Sequence, residues 1–273
     1  MPLIAATSIR PDTNRIILAG PPGAGKSTAA LTFPRPMVAF VFDPHIDAYA
    51  GEEGVEVYHC PPDSFDLRVA GPAGNLVKTG TADVIGAPRG EPLAYQQFAR
   101  DATELVGSGK LAAVRTVVLD SATYLEHHIT SRIEYLGNLT AGITKDHAAA
   151  VRRPFINAVL QFSSTPALRD KVVLLIVHAV DKVDQGGNVL ETQLGLYGKL
   201  RQLVPAGFAD VLRLYSEKIS GKRVFFAETI PSPKHPWIKA SPRIAALPSP
   251  LTVTIDRSRP LVGQGLGGVF AKE

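Results

Sequence analysis

Residues 15–28 read RIILAGPPGAGKST, a short apolar run followed by a glycine-rich segment. Gly20 to Ser27 fits the pattern G-x-x-x-x-G-K-[ST] at every fixed position. Arg15–Ala19 before it has the character of a buried strand, and the AALTF that follows Thr28 reads as the start of a helix. Glycines let the backbone wrap closely around an anion, with its N–H groups facing phosphate oxygens. The stretch therefore predicts a strand, a phosphate-binding loop and a helix.

The motif gives a role to individual side chains. Lys26 would reach the β- and γ-phosphates of ATP, Ser27 would ligate Mg²⁺, and Thr28 would lie near the α-phosphate. We therefore expect ATP and Mg²⁺ as cofactors. The predicted nucleotide-binding residues are Gly20, Pro21, Pro22, Gly23, Ala24, Gly25, Lys26, Ser27 and Thr28.

The rest of the chain alternates predicted strands and helices. Apolar runs predict strands at 37–42 (MVAFVF), 116–119 (TVVL) and 172–177 (VVLLIV), and helical spacing predicts helices at 95–106, 122–136 and 155–162. Continuous apolar strands separated by helices indicate a mainly parallel sheet covered on both faces. Residues 209–215 and 223–227 flank a turn and predict an antiparallel hairpin at the sheet edge. The fold class is therefore α/β.

Composition suggests how the chain is divided. Residues 1–230 form the predicted core, with an irregular, loop-rich insertion at about 51–92. The polar, glycine-containing stretch 181–195 is typical of a mobile loop. Residues 231–273 form a basic segment rich in proline and glycine, and its tail from Pro260 is typical of disorder.

A second carboxylate is expected beside the loop. TVVLD ends at Asp120, which would hold Mg²⁺ together with Ser27, although a strand-end Asp also caps helices. Ser121 follows, where one broad class of P-loop ATPases carries its water-activating glutamate. The general base must then come from elsewhere, and Asp43 or Asp47 could position the water, unless both only cap a turn around Pro44.

His178 closes the apolar run that follows the Asp120 strand. Neutral histidine donates one hydrogen bond and accepts another, so His178 could sense the γ-phosphate. A histidine at a strand end can equally be a structural residue.

Composition excludes several classes of protein. The apolar run Val172–Val177 is far shorter than a membrane span, and residues 1–15 lack the pattern of an export signal, so we expect action inside a cell without a membrane. Cys60 is the only cysteine, which rules out an internal disulfide and a four-cysteine zinc site. The net charge is +4, and residues 197–273 hold twelve Lys/Arg against five Asp/Glu. This asymmetry is compatible with a polyanionic partner.

Together these features resemble phage-encoded RecA-like ATPases, some of which act as single-strand annealing or recombination proteins. The resemblance covers roughly residues 14–243 and rests on the P-loop, VLDSATYL at 118–125, the strand ending at His178, QLGLYGKL at 193–200 and WIKASPR at 237–243. It implies a RecA-like core, ATP hydrolysis, single-stranded DNA as a partner, self-association into a ring or filament, phage recombination proteins as further partners, and the cytoplasm of a bacterial host cell.

The sequence departs from recombinases at two places. Asp43 stands where they carry a glutamate, and the 181–195 loop, at their DNA-contacting position, holds three acidic residues against one lysine. DNA contact there would need the backbone N–H groups of Gly186 and Gly187, or would fall to the basic C-terminal surface.

RecA-like assemblies place nucleotide between subunits, and a cation from the neighbour completes the site. The resemblance implies this role for Lys239 or Arg243, which could otherwise lie in a solvated basic loop. We therefore expect a Mg²⁺-dependent ATPase that acts on single-stranded DNA in recombination or annealing. The alternatives are a nucleotide-binding switch or assembly factor with little turnover and, less favoured because 181–195 lacks the arginines of a lid, a nucleotide or small-molecule kinase.

Overall fold

The computed structural model of the chain describes residues 14–61, 92–137 and 148–270. Its strands are β1 Arg15–Gly20, β2 Met37–Val41, β3 Val55–His59, β4 Thr116–Asp120, β5 Val172–Val183, β6 Val189–Leu194, β7 Asp210–Ile219, β8 Lys222–Glu228 and β9 Leu251–Val253. Its α-helices are α1 Lys26–Ala30, α2 Ala94–Gly107, α3 Ala122–Leu136, α4 Ala148–Ile156, α5 Leu200–Ala206, α6 Pro242–Ala245 and α7 Gly265–Phe270. Single turns of other helix types lie at Asp47–Tyr49, Lys110–Ala112, Asn157–Gln161 and Pro166–Leu168.

The strands form one sheet in the order β3-β2-β4-β5-β1-β7-β8-β9, and β6 pairs with the far end of β5. Neighbours from β3 to β7 are parallel, whereas β8 and β9 are antiparallel additions at the C-terminal edge. The predicted α/β fold class is confirmed: a mainly parallel sheet covered by helices, with an antiparallel edge hairpin near the C-terminus. β5 separates β1 from β4, so the two predicted phosphate-site strands flank a third strand.

Each central strand is apolar throughout because both faces of the sheet are covered. Side chains alternate between the faces. Ile17 and Ala19 of β1 pack in the cluster that includes α2, α3 and α4, whereas Ile16 and Leu18 pack in the one that includes α1, α6 and α7. The predicted runs TVVL and VVLLIV are buried in the same way, which explains why they lack a polar face.

Three segments differ from the sequence expectations. Residues 181–195 are not a mobile loop, because β5 continues to Val183 and pairs with β6 in an antiparallel hairpin. Val55–His59 of the irregular insertion is an edge strand that pairs with β2, and the rest of the insertion, 62–91, lies outside the described residues. The tail after Pro260, in the part that the structure describes, contains the helix α7, which packs against α1.

Residues 231–270 are attached to the core. β9 extends the sheet, and Ile244 of α6 and Leu266 of α7 are buried in one of its two clusters. Among the helices within 14–61, 92–137 and 148–270, none is long and apolar enough to cross a membrane.

Candidate nucleotide and magnesium site

The P-loop turns tightly between β1 and α1. A side chain at Gly20 would collide with the backbone carbonyl of Leu214, so only glycine fits where β1 ends. Gly23 and Gly25 have φ angles of 74° and 77°, a left-handed conformation that glycine adopts without strain. The helix then begins at Lys26. The glycines of the motif are therefore required by the backbone path.

Lys26 is folded onto its own loop. Its Nζ donates to the carbonyl oxygens of Gly20 at 3.0 Å and Pro21 at 2.9 Å. Burial lowers the pKa of Lys26, and the nearby charges of Asp120 and Asp43 oppose that shift. The ammonium group thus lies between the loop and two carboxylates. It must leave the two carbonyls to reach a phosphate.

Asp120 is the most heavily bonded carboxylate of the site. Its Oδ2 accepts the hydroxyl of Ser27 at 2.7 Å and the phenol of Tyr49 at 2.7 Å. Its side chain is buried, and burial raises its pKa, as does the charge of Asp43, while the bonds from Ser27 and Tyr49 lower it. Burial and the Asp120 charge also raise the pKa of Tyr49 well above its usual value, so Tyr49 stays a donor.

The donors present fit a magnesium ion. Oδ1 of Asp120 is buried without a hydrogen-bond partner in the part of the chain that the structure describes, and Ser27 Oγ lies 2.7 Å from Oδ2. A cage of three or more His, Cys, Asp or Glu side chains is not found among the residues at 14–61, 92–137 and 148–270. Mg²⁺ needs no such cage, because it binds through one or two protein oxygens, substrate phosphates and water.

Asp43 and His178 form a second polar pair at the site. Asp43 Oδ1 accepts the hydroxyl of Ser121 at 3.0 Å, and its Oδ2 lies 3.9 Å from His178 Nε2. His178 is paired in register with Gly20, so it stands directly beside the start of the P-loop. Asp47, the other candidate base, is exposed. The arrangement can hold a polar molecule between a carboxylate and an imidazole.

Parallel strands explain why these residues meet. β1, β2 and β4 run in one direction, and their carboxyl ends lead to the P-loop, Asp43 and Asp120. β5 is parallel to them but does not end at His178 as the sequence predicts, because it continues to Val183 and pairs with β6. The site thus lies at the carboxyl edge of the sheet, where open α/β sheets commonly bind ligands.

Lys239 and Arg243 lie elsewhere. Lys239 bridges to Val211, near the start of β7, and its Nζ donates to the carbonyl of Phe208 at 2.7 Å. Arg243 donates to the carbonyl of Val269 at 2.7 Å and lies over the Phe270 ring. Both charges lower the pKa of Asp210, which burial raises. Within its own chain, this pair is outside the P-loop site.

Three residues of the site were missed from sequence. Tyr49 lies in the short helical turn after Asp43 and carries no motif. Ser121, noted only as a departure from glutamate, bonds Asp43 and also caps α3 by accepting the N–H of Tyr124. Arg257 follows β9 and donates to the Thr28 hydroxyl at 3.1 Å. Only Ser121 could have been found from the sequence, because its hydroxyl directly follows the predicted metal carboxylate Asp120.

Comparisons with known proteins agree with a P-loop assignment. No curated protein matches the chain. Among solved structures, the flagellar accessory protein FlaH from Methanocaldococcus jannaschii is similar with a TM-score of 0.42 and 8% identity, over 90% of this chain and 87% of that one. The family model described as AAA domain matches residues 12–235, most of the chain. The P-loop protein described here therefore belongs to the AAA domain family.

Proposed function

We propose that the protein is a Mg²⁺-dependent ATPase. The observation that carries the proposal is the 2.7 Å bond between Ser27 Oγ and Asp120, with the Lys26 ammonium close to the same carboxylate. Ser27 and Asp120 would hold the ion, which when bound offsets phosphate charge. Lys26 would neutralise the terminal phosphates, because a buried cation stabilises developing negative charge strongly. The loop N–H groups would orient the triphosphate.

Asp43 is the proposed base for the attacking water. Ser121 fixes one of its oxygens, and His178 faces the other, so the carboxylate is held in one orientation. His178 would donate a hydrogen bond to the water or the γ-phosphate, and Thr123 Oγ1, which accepts the backbone N–H of His178, holds the backbone of β5 at that position. Asp47 remains the alternative base, although it is exposed.

Matched variants test this assignment. Lys26→Ala should abolish phosphate release and weaken ATP binding, because the charge that offsets the phosphates is gone. Asp120→Asn should keep part of the nucleotide affinity and lose hydrolysis. Asp43→Asn should lower kcat by about 10²–10⁴, whereas Asp47→Asn should leave it unchanged. Near wild-type hydrolysis in Lys26→Ala would overturn the proposal, and loss only in Asp47→Asn would move the base to Asp47.

The partner that we propose is single-stranded DNA, in phage recombination or annealing within a bacterial host cell. Support comes from the resemblance to phage RecA-like ATPases and from the net charge of +7 in residues 197–273. The 181–195 hairpin is a poor phosphate binder, because the N–H groups of Gly186 and Gly187 already donate to Asp184 and the hairpin holds three acidic residues against one lysine. The basic C-terminal surface is the better candidate.

The tip of the β7–β8 hairpin carries three of the basic residues of that surface, together with the acidic Glu217. Lys218 stands directly opposite Arg223 in register, with Lys222 beside them, and all three side chains are exposed. Like charges directly opposite each other on a sheet destabilise it. Such an arrangement is expected where a polyanion offsets the repulsion. Stacked Tyr215 and Phe226 lie further along the same hairpin.

Salt-dependent binding tests the DNA proposal. Affinity of the protein for an oligo(dT) strand should fall steeply between about 50 and 200 mM salt. Lys218→Ala/Arg223→Ala should reduce the slope of log affinity against log salt by about 1.4, or about 0.7 per charge. The control Lys110→Ala/Arg169→Ala removes two exposed cations elsewhere. Equal slopes for all three proteins would exclude the hairpin, and no binding at low salt would favour a switch or assembly factor.

Turnover separates the remaining alternatives. An ATPase of this type should release phosphate faster with single-stranded DNA, a switch should bind ATP with little release, and a kinase should transfer phosphate to an added acceptor. The kinase is the least supported, because the 181–195 hairpin contains no arginine that could close over a phosphate.

A further inference from the structure

Arg257 contacts the P-loop from the opposite end of the chain. Its Nη2 donates to Oγ1 of Thr28 at 3.1 Å, across 229 positions of sequence. Thr28 directly follows Lys26 and Ser27, the residues proposed to hold the terminal phosphates and Mg²⁺. Arg257 itself is exposed, so this bond is not needed to satisfy a buried charge. A guanidinium group is thus already placed at the rim of the nucleotide site.

The loop that carries Arg257 is held in place. The side-chain amide of Gln264 makes three hydrogen bonds in this loop. Its Nε2 donates to the backbone carbonyls of Asp256 at 3.0 Å and Pro260 at 2.8 Å, and its Oε1 accepts the backbone N–H of Asp256. Thr32, just after α1, accepts the N–H of Gly263 through its backbone and that of Gly267 through its hydroxyl. The loop therefore rests on the end of the P-loop helix, and the position of Arg257 relative to Thr28 follows from these bonds.

The sheet order places different kinds of residue on the two sides of the candidate nucleotide site. The carboxylates and His178 come from β2, β4 and β5, on one side of β1. Arg257 follows β9, on the other side, where the Phe225 ring of β8 lies against the loop: a methyl group at Gly25 would stand 2.9 Å from it. Terminal phosphates bound by Lys26, Ser27 and Asp120 would face the carboxylate side, which would leave the α-phosphate and nucleoside towards Phe225 and Arg257.

We propose that Arg257 binds the α-phosphate of the nucleotide together with Thr28. This rests on the proposed nucleotide-binding function and adds a residue from outside the P-loop motif. A guanidinium group can donate two parallel hydrogen bonds to phosphate oxygens, so Arg257 can keep Thr28 and take a phosphate oxygen as well. The contact is made equally with ATP and ADP, since both carry the α-phosphate. Arg257 thus contributes to affinity for both nucleotides.

The first experiment measures ATP and ADP affinity by calorimetry in the full chain. Arg257→Ala should weaken both about tenfold, or about 1.4 kcal/mol, and Arg257→Lys should restore part of the loss. Arg259→Ala is the matched control, because Arg259 is two positions away, exposed and paired with Asp256. Unchanged affinity in Arg257→Ala, tighter binding, or a loss confined to ATP would overturn the proposal. A wild-type protein that binds neither nucleotide would instead refute the proposed function, and this inference with it.

The second experiment identifies the phosphate. ATP with sulfur in place of one α-oxygen should bind the wild-type protein less tightly in one of its two diastereomers, because sulfur is a weaker acceptor. In Arg257→Ala that difference between diastereomers should shrink towards none. A difference of the same size in both proteins would mean that Arg257 contacts another part of the nucleotide, which would overturn the assignment to the α-phosphate. Thermal unfolding of each variant checks that it is folded.

Discussion

Tyr49 and Ser27 donate to the same oxygen of Asp120, each at 2.7 Å, and leave the other carboxylate oxygen without a bond in the described structure. The phenol comes from the connection after β2 and the hydroxyl from the P-loop, so Asp120 ties two segments together. Two donors on one oxygen orient the other oxygen for a ligand. Tyr49 therefore acts as a positioning residue for the proposed Mg²⁺ site.

Replacing Tyr49 by Phe removes this donor and keeps the buried ring. The bond from Tyr49 lowers the pKa of Asp120, so its loss should raise that pKa further. Asp120 would then be ionised only at higher pH, and the acid limb of the pH profile of kcat should move upward. We also expect a several-fold higher Mg²⁺ requirement. Tyr135→Phe, at an exposed position of α3, is the control; an unshifted acid limb in Tyr49→Phe would contradict the positioning role.

Glu126 predicts a pH dependence of stability. Burial raises its pKa to about 7, although both its oxygens accept the backbone N–H of Tyr197 and Arg201 is near. The folded state therefore holds a proton between pH 4.5 and 7 that the unfolded chain has released, and stability should fall as pH rises through that range. Above pH 7, the buried charge of Glu126 lowers the free energy of unfolding by an amount on the order of 3 kcal/mol.

Glu126→Gln isolates this effect, because the amide is neutral at every pH and its oxygen can still accept the Tyr197 N–H. Relative to wild type, the variant should gain about 1–3 kcal/mol of unfolding free energy at pH 8 and little near pH 4.5. Urea denaturation at both pH values measures the difference, with Glu104→Gln as the charge-matched surface control. A gain of the same size at both pH values would count against the buried carboxylate.

Variants of Lys239 test whether this residue has a structural role in its own chain or completes the site of a neighbouring subunit. Its bond to the Phe208 carbonyl and its nearness to buried Asp210 predict that Lys239→Ala loses about 1 kcal/mol of unfolding free energy, whereas Lys234→Ala on the same segment loses little. A role in completing a neighbour's site predicts lost turnover with unchanged stability. In that case, mixing Lys239→Ala or Arg243→Ala with Lys26→Ala should recover activity, because mixed junctions pair the intact halves.

Thr32 is expected to hold the C-terminal helix. Its buried hydroxyl donates to the carbonyl of Ala29 at 2.6 Å and accepts the N–H of Gly267 at 2.9 Å. Thr32→Val would leave that N–H buried and unbonded, and should lower the unfolding free energy by about 1–3 kcal/mol. Thr103→Val, on the exposed face of α2, should change it by less than about 0.5 kcal/mol. Equal stability of the two variants would argue against the contact.

The central fold could be predicted because its signals are local. Buried parallel strands require unbroken apolar runs, as in TVVL and VVLLIV, and the P-loop requires glycines where the backbone turns. β3 and β6 were missed because both lie at edges, where polar and half-exposed residues such as Glu56 and Glu191 are tolerated. α7 was also missed, because it lies in a glycine-rich tail and is specified by its packing against α1.

The candidate site also has residues that the sequence predicts and residues that it does not. Lys26, Ser27 and Asp120 follow from a motif and a strand end, and parallel strands bring Asp43 and His178 to them. Tyr49 and Arg257 could not be predicted, because each reaches the site through the path of a connecting segment. No spacing in the sequence encodes such a path.

β5 continues past His178, out of the main sheet and into the hairpin with β6. Lys182 lies four residues beyond His178 on the same strand, about 13 Å away. This part of β5 lies outside the main sheet and pairs with β6. Because His178 and Lys182 belong to one strand, a displacement of the β5–β6 hairpin along that strand would also move the imidazole that stands beside Gly20.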